Sequence, residues 1–187
     1  MLDLKDVILV GWSLGTLDML SYIDQFGTDN VKAIMILDGT PKTMGETSTD
    51  TWVWIDQADT NRARQSITEG ILTNASKTID GFVKWMLENP SQKNVRVMKE
   101  IALQTPPLIA AITNETASYA DYEHTLKNLD GKIPVYLFVR EEWATAVGAW
   151  KDQYLRSAKF SHTGKHLMFW ERHEVFNQYL DVFLNEL

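Results

Sequence analysis

The sequence predicts an α/β protein built on a mostly parallel sheet flanked by helices. Three observations carry that prediction. The continuous apolar run Val7-Ile8-Leu9-Val10 is followed by an apolar-periodic segment over 17–26 and then by Val31-Lys32-Ala33-Ile34-Met35-Ile36-Leu37. A strand, helix, strand unit of this length is a right-handed crossover between parallel strands. A further strand-like run stands at 133–139, with a short one near 158–161. These strands are short and mostly apolar, the pattern of a sheet covered on both faces.

Taken in order, residues 1–5 read as the end of a helix or loop feeding a first strand at about 6–10. A helix over about 13–26 carries Leu17, Leu20 and Ile23 on one face, and Gly27 stops it. The second strand, 31–37, closes in Asp38-Gly39-Thr40-Pro41. The character then changes. No strand-like run appears until 133, and helical periodicity takes over. Ile79, Phe82, Val83, Met86 and Leu87 form a stripe ahead of Pro90, and Val97, Met98 and Ile101 suggest another helix, broken near Pro106-Pro107. The division is therefore a core over 1–42, an inserted helical cap of three to five helices over 43–128, and a core over 129–187. Trp52, Trp54 and Trp85 either fill the interior of that insertion or line a pocket beneath it. Beyond the 133–139 strand, a helix is expected over about 144–155. A last helix over about 172–187 has Val175, Phe176, Tyr179, Leu180 and Phe183 on one face.

Composition narrows the function. The chain has 187 residues, 44% of them hydrophobic, a net charge of −7 and no cysteine. An acidic chain with no basic run argues against nucleic acid and anionic membrane as partners. The absence of cysteine excludes disulfides, thiolate chemistry and Cys-based zinc sites. No apolar run approaches a membrane span. Asp3, Lys5 and Asp6 interrupt any signal-peptide pattern, so a cytoplasmic location is expected. No His/Asp/Glu cluster has metal-ligand spacing, and neither a metal nor another cofactor is expected.

The chemistry-bearing stretch is Val7-Ile8-Leu9-Val10-Gly11-Trp12-Ser13-Leu14-Gly15. A bare Gly-x-Ser-x-Gly arises by composition in roughly one chain of this length in fifteen. The strand before it and the helix after it make it a nucleophile-elbow candidate, against the competing reading of a serine that caps a helix. Gly11 and Gly15 are expected where a Cβ would collide as strand and helix close on each other, and Ser13 in a strained conformation. The Leu14 N–H, at a helix start, can face a developing oxyanion. A serine needs a base near neutral pH, and His166, in Thr163-Gly164-Lys165-His166, supplies an imidazole. That imidazole needs a carboxylate to fix its tautomer. His124, His162 and His173 are expected on the surface or cap, with His162 a fallback base.

The order serine, acid, histidine resembles the α/β-hydrolase fold superfamily. Val-Ile-Leu-Val-Gly-Trp-Ser-Leu-Gly is similar to its elbow, and Ile-Met-Ile-Leu-Asp-Gly-Thr-Pro to the next strand leading into a helical cap. Pro-Val-Tyr-Leu-Phe-Val-Arg-Glu-Glu-Trp resembles the acid-bearing strand and turn, and Gly-Lys-His-Leu-Met-Phe-Trp-Glu the histidine segment. The resemblance, closest to cap-bearing esterases and cofactor-free haloperoxidase-like members, implies a serine hydrolase of a small to medium, apolar ester. Perhydrolysis would be a side activity. Many members carry Gly-x-x-Asp after the acid strand, where this chain has Arg140-Glu141-Glu142-Trp143. Glu142 is therefore the expected acid, Glu141 the runner-up, and Asp38 a further alternative, since the family can place its acid there. Trp12 and Trp143, beside the serine and the acid turn, are expected substrate contacts.

In the family, several strands and helices precede the elbow strand, and a loop there supplies a second oxyanion donor. Only twelve residues precede Ser13 here, so the expected sheet is open on the elbow side, an apolar edge that natural proteins avoid. The expectation is a fragment, a mis-started reading frame, or an edge covered by a partner chain or by a second copy in a homodimer. The alternative function is accordingly a non-catalytic chain that binds a partner or itself.

Overall fold

A computed structural model of the protein describes residues 4–47, 50–54 and 60–187. Its four strands, β1 (Val7–Trp12), β2 (Val31–Leu37), β3 (Val135–Val139) and β4 (Lys159–His162), form one wholly parallel sheet in the order β1-β2-β3-β4. Eight helices are described: α1 (Gly15–Phe26), α2 (Thr60–Met86), α3 (Gln92–Ala102), α4 (Pro107–Ala117), α5 (Glu123–Lys127), α6 (Ala144–Tyr154), α7 (Met168–Glu171) and α8 (His173–Asn185). The expected helix end or loop at the start of the chain falls, for residues 1–3, outside the described residues.

The apolar runs explain the layering. Alternate residues of β2 and β3 face opposite sides. Ile34, Ile36, Leu137 and Val139 pack with Leu20 and Ile23 of α1, Leu126 of α5 and Val147 and Trp150 of α6. Ala33, Met35, Leu37, Tyr136 and Phe138 face the other way, against Met168 of α7 and Phe176, Leu180 and Phe183 of α8. With both faces covered, all five residues of β3 are buried. β1 differs. It pairs with β2 on one side, no described strand lies on its other side, and Val10 is 55% exposed.

Four helices, α2–α5, lie between β2 and β3. α2 breaks at Asn74, where φ is −153° and ψ 68°. α3 opens on Ser91, whose hydroxyl accepts the Asn94 N–H. The Pro106-Pro107 pair begins α4 rather than merely ending what precedes it, because a proline at the first helical position loses no hydrogen bond. The segment is fastened at two places. Tyr122 N–H donates to Pro41 C=O at 2.8 Å, beside a Lys42–Asp121 ion pair at 3.3 Å. The Glu171 carboxylate, in α7, accepts the N–H groups of Glu88 and Asn89 at 2.7 and 2.8 Å. Of the predicted stripe, Val83 and Met86 in α2 and Leu87 just beyond it pack with Val95 and Leu167. No helix among the described residues is long and apolar enough to cross a membrane.

Candidate active site

β1 ends at Trp12 and α1 begins at Gly15, so the chain reverses over Ser13 and Leu14. Ser13 has φ +55°, a left-handed conformation that costs a non-glycine residue about 1–2 kcal/mol. Gly11 is where the expected close approach occurs. A Cβ there would lie 2.7 Å from Thr16 Cα and 2.8 Å from Gly15 O. At Gly15 the expectation is corrected, because a Cβ added there would meet nothing within 4 Å. The second tight glycine is Gly39, which sequence reasoning passed over as a turn residue. A Cβ there would stand 1.9 Å from Thr16 Oγ1 and 2.7 Å from Ser13 O. The end of β2 is thus pressed directly onto the elbow.

That approach decides which carboxylate meets the histidine. His166 is 1% exposed. Its Nε2 lies 2.9 Å from Ser13 Oγ and its Nδ1 2.5 Å from Asp38 Oδ2. An ionised carboxylate only accepts, so Nδ1 carries the hydrogen and Nε2 is left to accept the Ser13 hydroxyl. Asp38 extends the strand pairing one residue beyond β2, donating its N–H to Phe138 C=O at 2.8 Å. It is fully buried, with φ +45°. Burial pushes its carboxyl up, but the hydrogen bond and charge of His166 and the charge and N–H of Arg140 outweigh that and hold it below the ordinary carboxylate range.

Glu142, the expected acid, is not at the histidine. It lies on the turn Glu141–Trp143 after β3, with its side chain 63% exposed and its carboxylate 3.4 Å from Arg140 Nε. Glu141 points to a different imidazole, that of His162, at 3.0 Å. The reason is geometric. Arg140, not a carboxylate, is the residue that turns inward after β3. Its N–H donates to Asp38 Oδ1 at 2.8 Å and its guanidinium to Asp38 Oδ2 at 2.9 Å. His162 is thereby occupied elsewhere and is not brought to Ser13.

The tryptophans also divide differently from expectation. Trp12 does not line the cavity beside Ser13. Its indole N–H donates to His166 C=O at 3.0 Å, and its ring packs on His166 and Phe169. Trp143 lies against the Arg140 guanidinium, 3.8 Å from it, and against Trp54. Neither is among the residues that line the cavity at Ser13. Trp52 belongs to the core and donates to Gly39 C=O. Trp54 and Trp85 are the ones that line the cavity, and both rings also contact the His166 imidazole, at 5.4 and 5.3 Å. That cavity, of about 390 Å³, is walled by Leu14, Ile67, Phe82 and the two tryptophans, and Ser13 is among its lining residues. Its polar groups include Thr43, whose buried Oγ1 has no hydrogen-bond partner. The Leu14 N–H has no acceptor among the described residues, whereas those of Thr16 and Leu17 are taken by the Ser13 and Leu14 carbonyls. Among the described residues no group of three His, Asp or Glu is arranged to hold a metal ion.

No protein-family model matches the sequence, and no curated protein matches it. Solved structures do. A bromoperoxidase from Bacillus anthracis superposes with a TM-score of 0.82 at 20% identity, over 98% of this chain and 68% of that one. An esterase from Exiguobacterium antarcticum gives 0.83 at 12% identity, over 97% and 67%. An enol-lactonase from Burkholderia xenovorans gives 0.75 at 12%, over 97% and 66%. The chain spans about two thirds of the length of these neighbours. At such identities the likeness speaks for architecture alone, and with the parallel sheet, the strand–turn–helix at Ser13 and the helices on both faces it identifies the chain as having the α/β-hydrolase fold.

Proposed function

We propose that the chain is a serine hydrolase of small to medium, apolar carboxylic esters, working through Ser13, His166 and Asp38. The observation that carries the reading is the unbroken hydrogen-bond chain from Ser13 Oγ through both nitrogens of His166 to Asp38. In the reaction, Ser13 Oγ attacks the acyl carbon as His166 Nε2 takes its proton. Asp38 stabilises the imidazolium that forms and keeps the Nδ1–H tautomer in place. The Leu14 N–H donates to the oxyanion. The imidazolium then protonates the departing alkoxide, leaving an acyl-enzyme. A water, deprotonated by the same nitrogen, attacks that acyl carbon; the bond to Ser13 Oγ breaks, Ser13 Oγ takes the proton back from His166, and the acid leaves. The apolar wall of Trp54, Trp85, Phe82 and Ile67 supports an apolar acyl or alcohol group, with Thr43 Oγ1 a polar anchor. The segment 43–128, which contributes these residues, acts as the cap. Removing a single oxyanion donor costs on the order of 10² to 10³ in turnover, which is the weight the Leu14 N–H is expected to carry.

The test is hydrolysis of p-nitrophenyl acetate and butyrate by this chain and by Ser13→Ala, with fluorophosphonate labelling read by mass spectrometry. Turnover and label that vanish together in Ser13→Ala sustain the reading. Folded protein with neither sinks it.

A second reading rests on β1, beside whose outer edge no described strand lies and whose Ile8 and Val10 are exposed on one sheet face. Such an edge invites pairing with another strand, which favours a module that associates with itself or with a partner chain. A monomer by size-exclusion chromatography with light scattering, at tens of micromolar, counts against self-association.

A further inference from the structure

We propose that Arg140 is a positioning residue of this site: its backbone N–H and guanidinium hold the two oxygens of Asp38, and with them the His166 imidazole, in the orientation that serves Ser13. The geometry is specific. Asp38 Oδ2 receives both His166 Nδ1 and the Arg140 guanidinium, while Oδ1 receives the Arg140 N–H. The carboxylate has no freedom left to rotate, and neither ion of the Asp38–Arg140 pair reaches solvent, with side-chain exposures of 0 and 6%. The guanidinium is in turn held by aromatic faces, 3.8 Å from Trp143, 4.7 Å from Trp54 and 5.1 Å from Trp85. Trp54 and Trp85 touch His166 as well, so one aromatic cage fixes the cation and the imidazole together.

The pair also carries a charge argument. The cation and N–H of Arg140 help hold the Asp38 carboxyl below its ordinary range, so the oxygen that faces His166 Nδ1 stays an anion that accepts. The other charged groups facing this set are already paired. Glu142 sits 3.4 Å from Arg140 Nε on the outer side, Glu141 holds His162, and the Glu88–Arg172 pair packs against Gly164, next to Lys165.

The proposal rests on the triad reading for its kinetic arm and is independent of it for its spectroscopic arm. The rate of fluorophosphonate labelling of Ser13 is measured from pH 5 to 9 in the parent chain, Arg140→Met, Arg140→Lys and Glu142→Gln. In parallel, the downfield imidazole N–H proton of His166 is followed by NMR and assigned by its loss in His166→Gln. Arg140→Met is expected to slow labelling at least about tenfold. It should also shift or broaden the downfield proton. Arg140→Lys, which keeps the charge without the fork, should leave the rate low and the downfield proton displaced. Should Arg140→Met not fold, Glu142→Gln decides. Losing the outer anion strengthens the guanidinium's hold on Asp38, and the downfield proton should move the opposite way. A downfield proton unmoved in whichever variant folds would overturn the proposal. A parent chain that takes no label but whose downfield proton still depends on Arg140 sinks the hydrolase reading and leaves the positioning role standing.

Discussion

The sharpest consequence of the site geometry is the contrast between Asp38→Asn and Glu142→Gln. Asp38 lies 2.5 Å from His166 Nδ1 with both side chains buried. With charge centres about 3.5 Å apart and an effective dielectric of about 20, the carboxylate stabilises the imidazolium by roughly 4–5 kcal/mol, which corresponds to about 10³ to 10⁴ in rate. Asparagine keeps the shape and loses that term. Glu142 is 63% exposed and contacts Arg140, not the imidazole, so its amide should stay within about threefold of the parent. The assay is kcat for p-nitrophenyl butyrate together with burst labelling by fluorophosphonate, on protein whose fold is verified by circular dichroism. That check matters because Asp38→Asn leaves the Arg140 cation without its partner, a loss of about 3–5 kcal/mol of stability. A folded Asp38→Asn that turns over at the parent rate, or a Glu142→Gln that falls a thousandfold, would refute the reasoning.

Four further outcomes follow from the same geometry. Gly11→Ala should lose about 1–3 kcal/mol in urea unfolding, since its Cβ meets the Thr16 backbone. Gly15→Ala, with nothing near its Cβ, should be unchanged or slightly more stable. Trp85→Ala should enlarge the cavity that Trp85 lines. Its kcat/KM for hexanoate or octanoate esters relative to acetate should rise at least about fivefold, measured across a p-nitrophenyl ester series. Finally, the native Asp38 carboxyl is held below its ordinary value. A depressed native pKa contributes stability that is present above the unfolded value, near 3.9, and is lost as pH falls through the native one. The stability gap between the parent and Asp38→Asn should therefore hold from pH 6 to about 4 and narrow below it, as thermal melts across that range would register.

Whatever depends on local pattern could be read from the residues alone. The apolar run ending in Gly11-Trp12-Ser13 specified strand, turn and helix, because period, β-branching and helix periodicity are read over a few residues. The runs at 31–37 and 133–139 specified buried parallel strands for the same reason. Ser13 and His166 were legible because each sits in a short motif at the end of an element. The acid was not. Asp38 and Glu142 both follow a strand, and one dimension offers nothing to rank two strand ends that are neighbours in the sheet. Packing in three dimensions chose between them. Gly39 lets the end of β2 press against the elbow, and Arg140 turns inward to hold Asp38, leaving Glu142 to the solvent. The tryptophans were sorted the same way. A large aromatic residue reads alike whether it fills a core, as Trp52 does, or walls a cavity, as Trp54 and Trp85 do. The choice depends on what packs behind each ring, and residues far apart in the chain determine that.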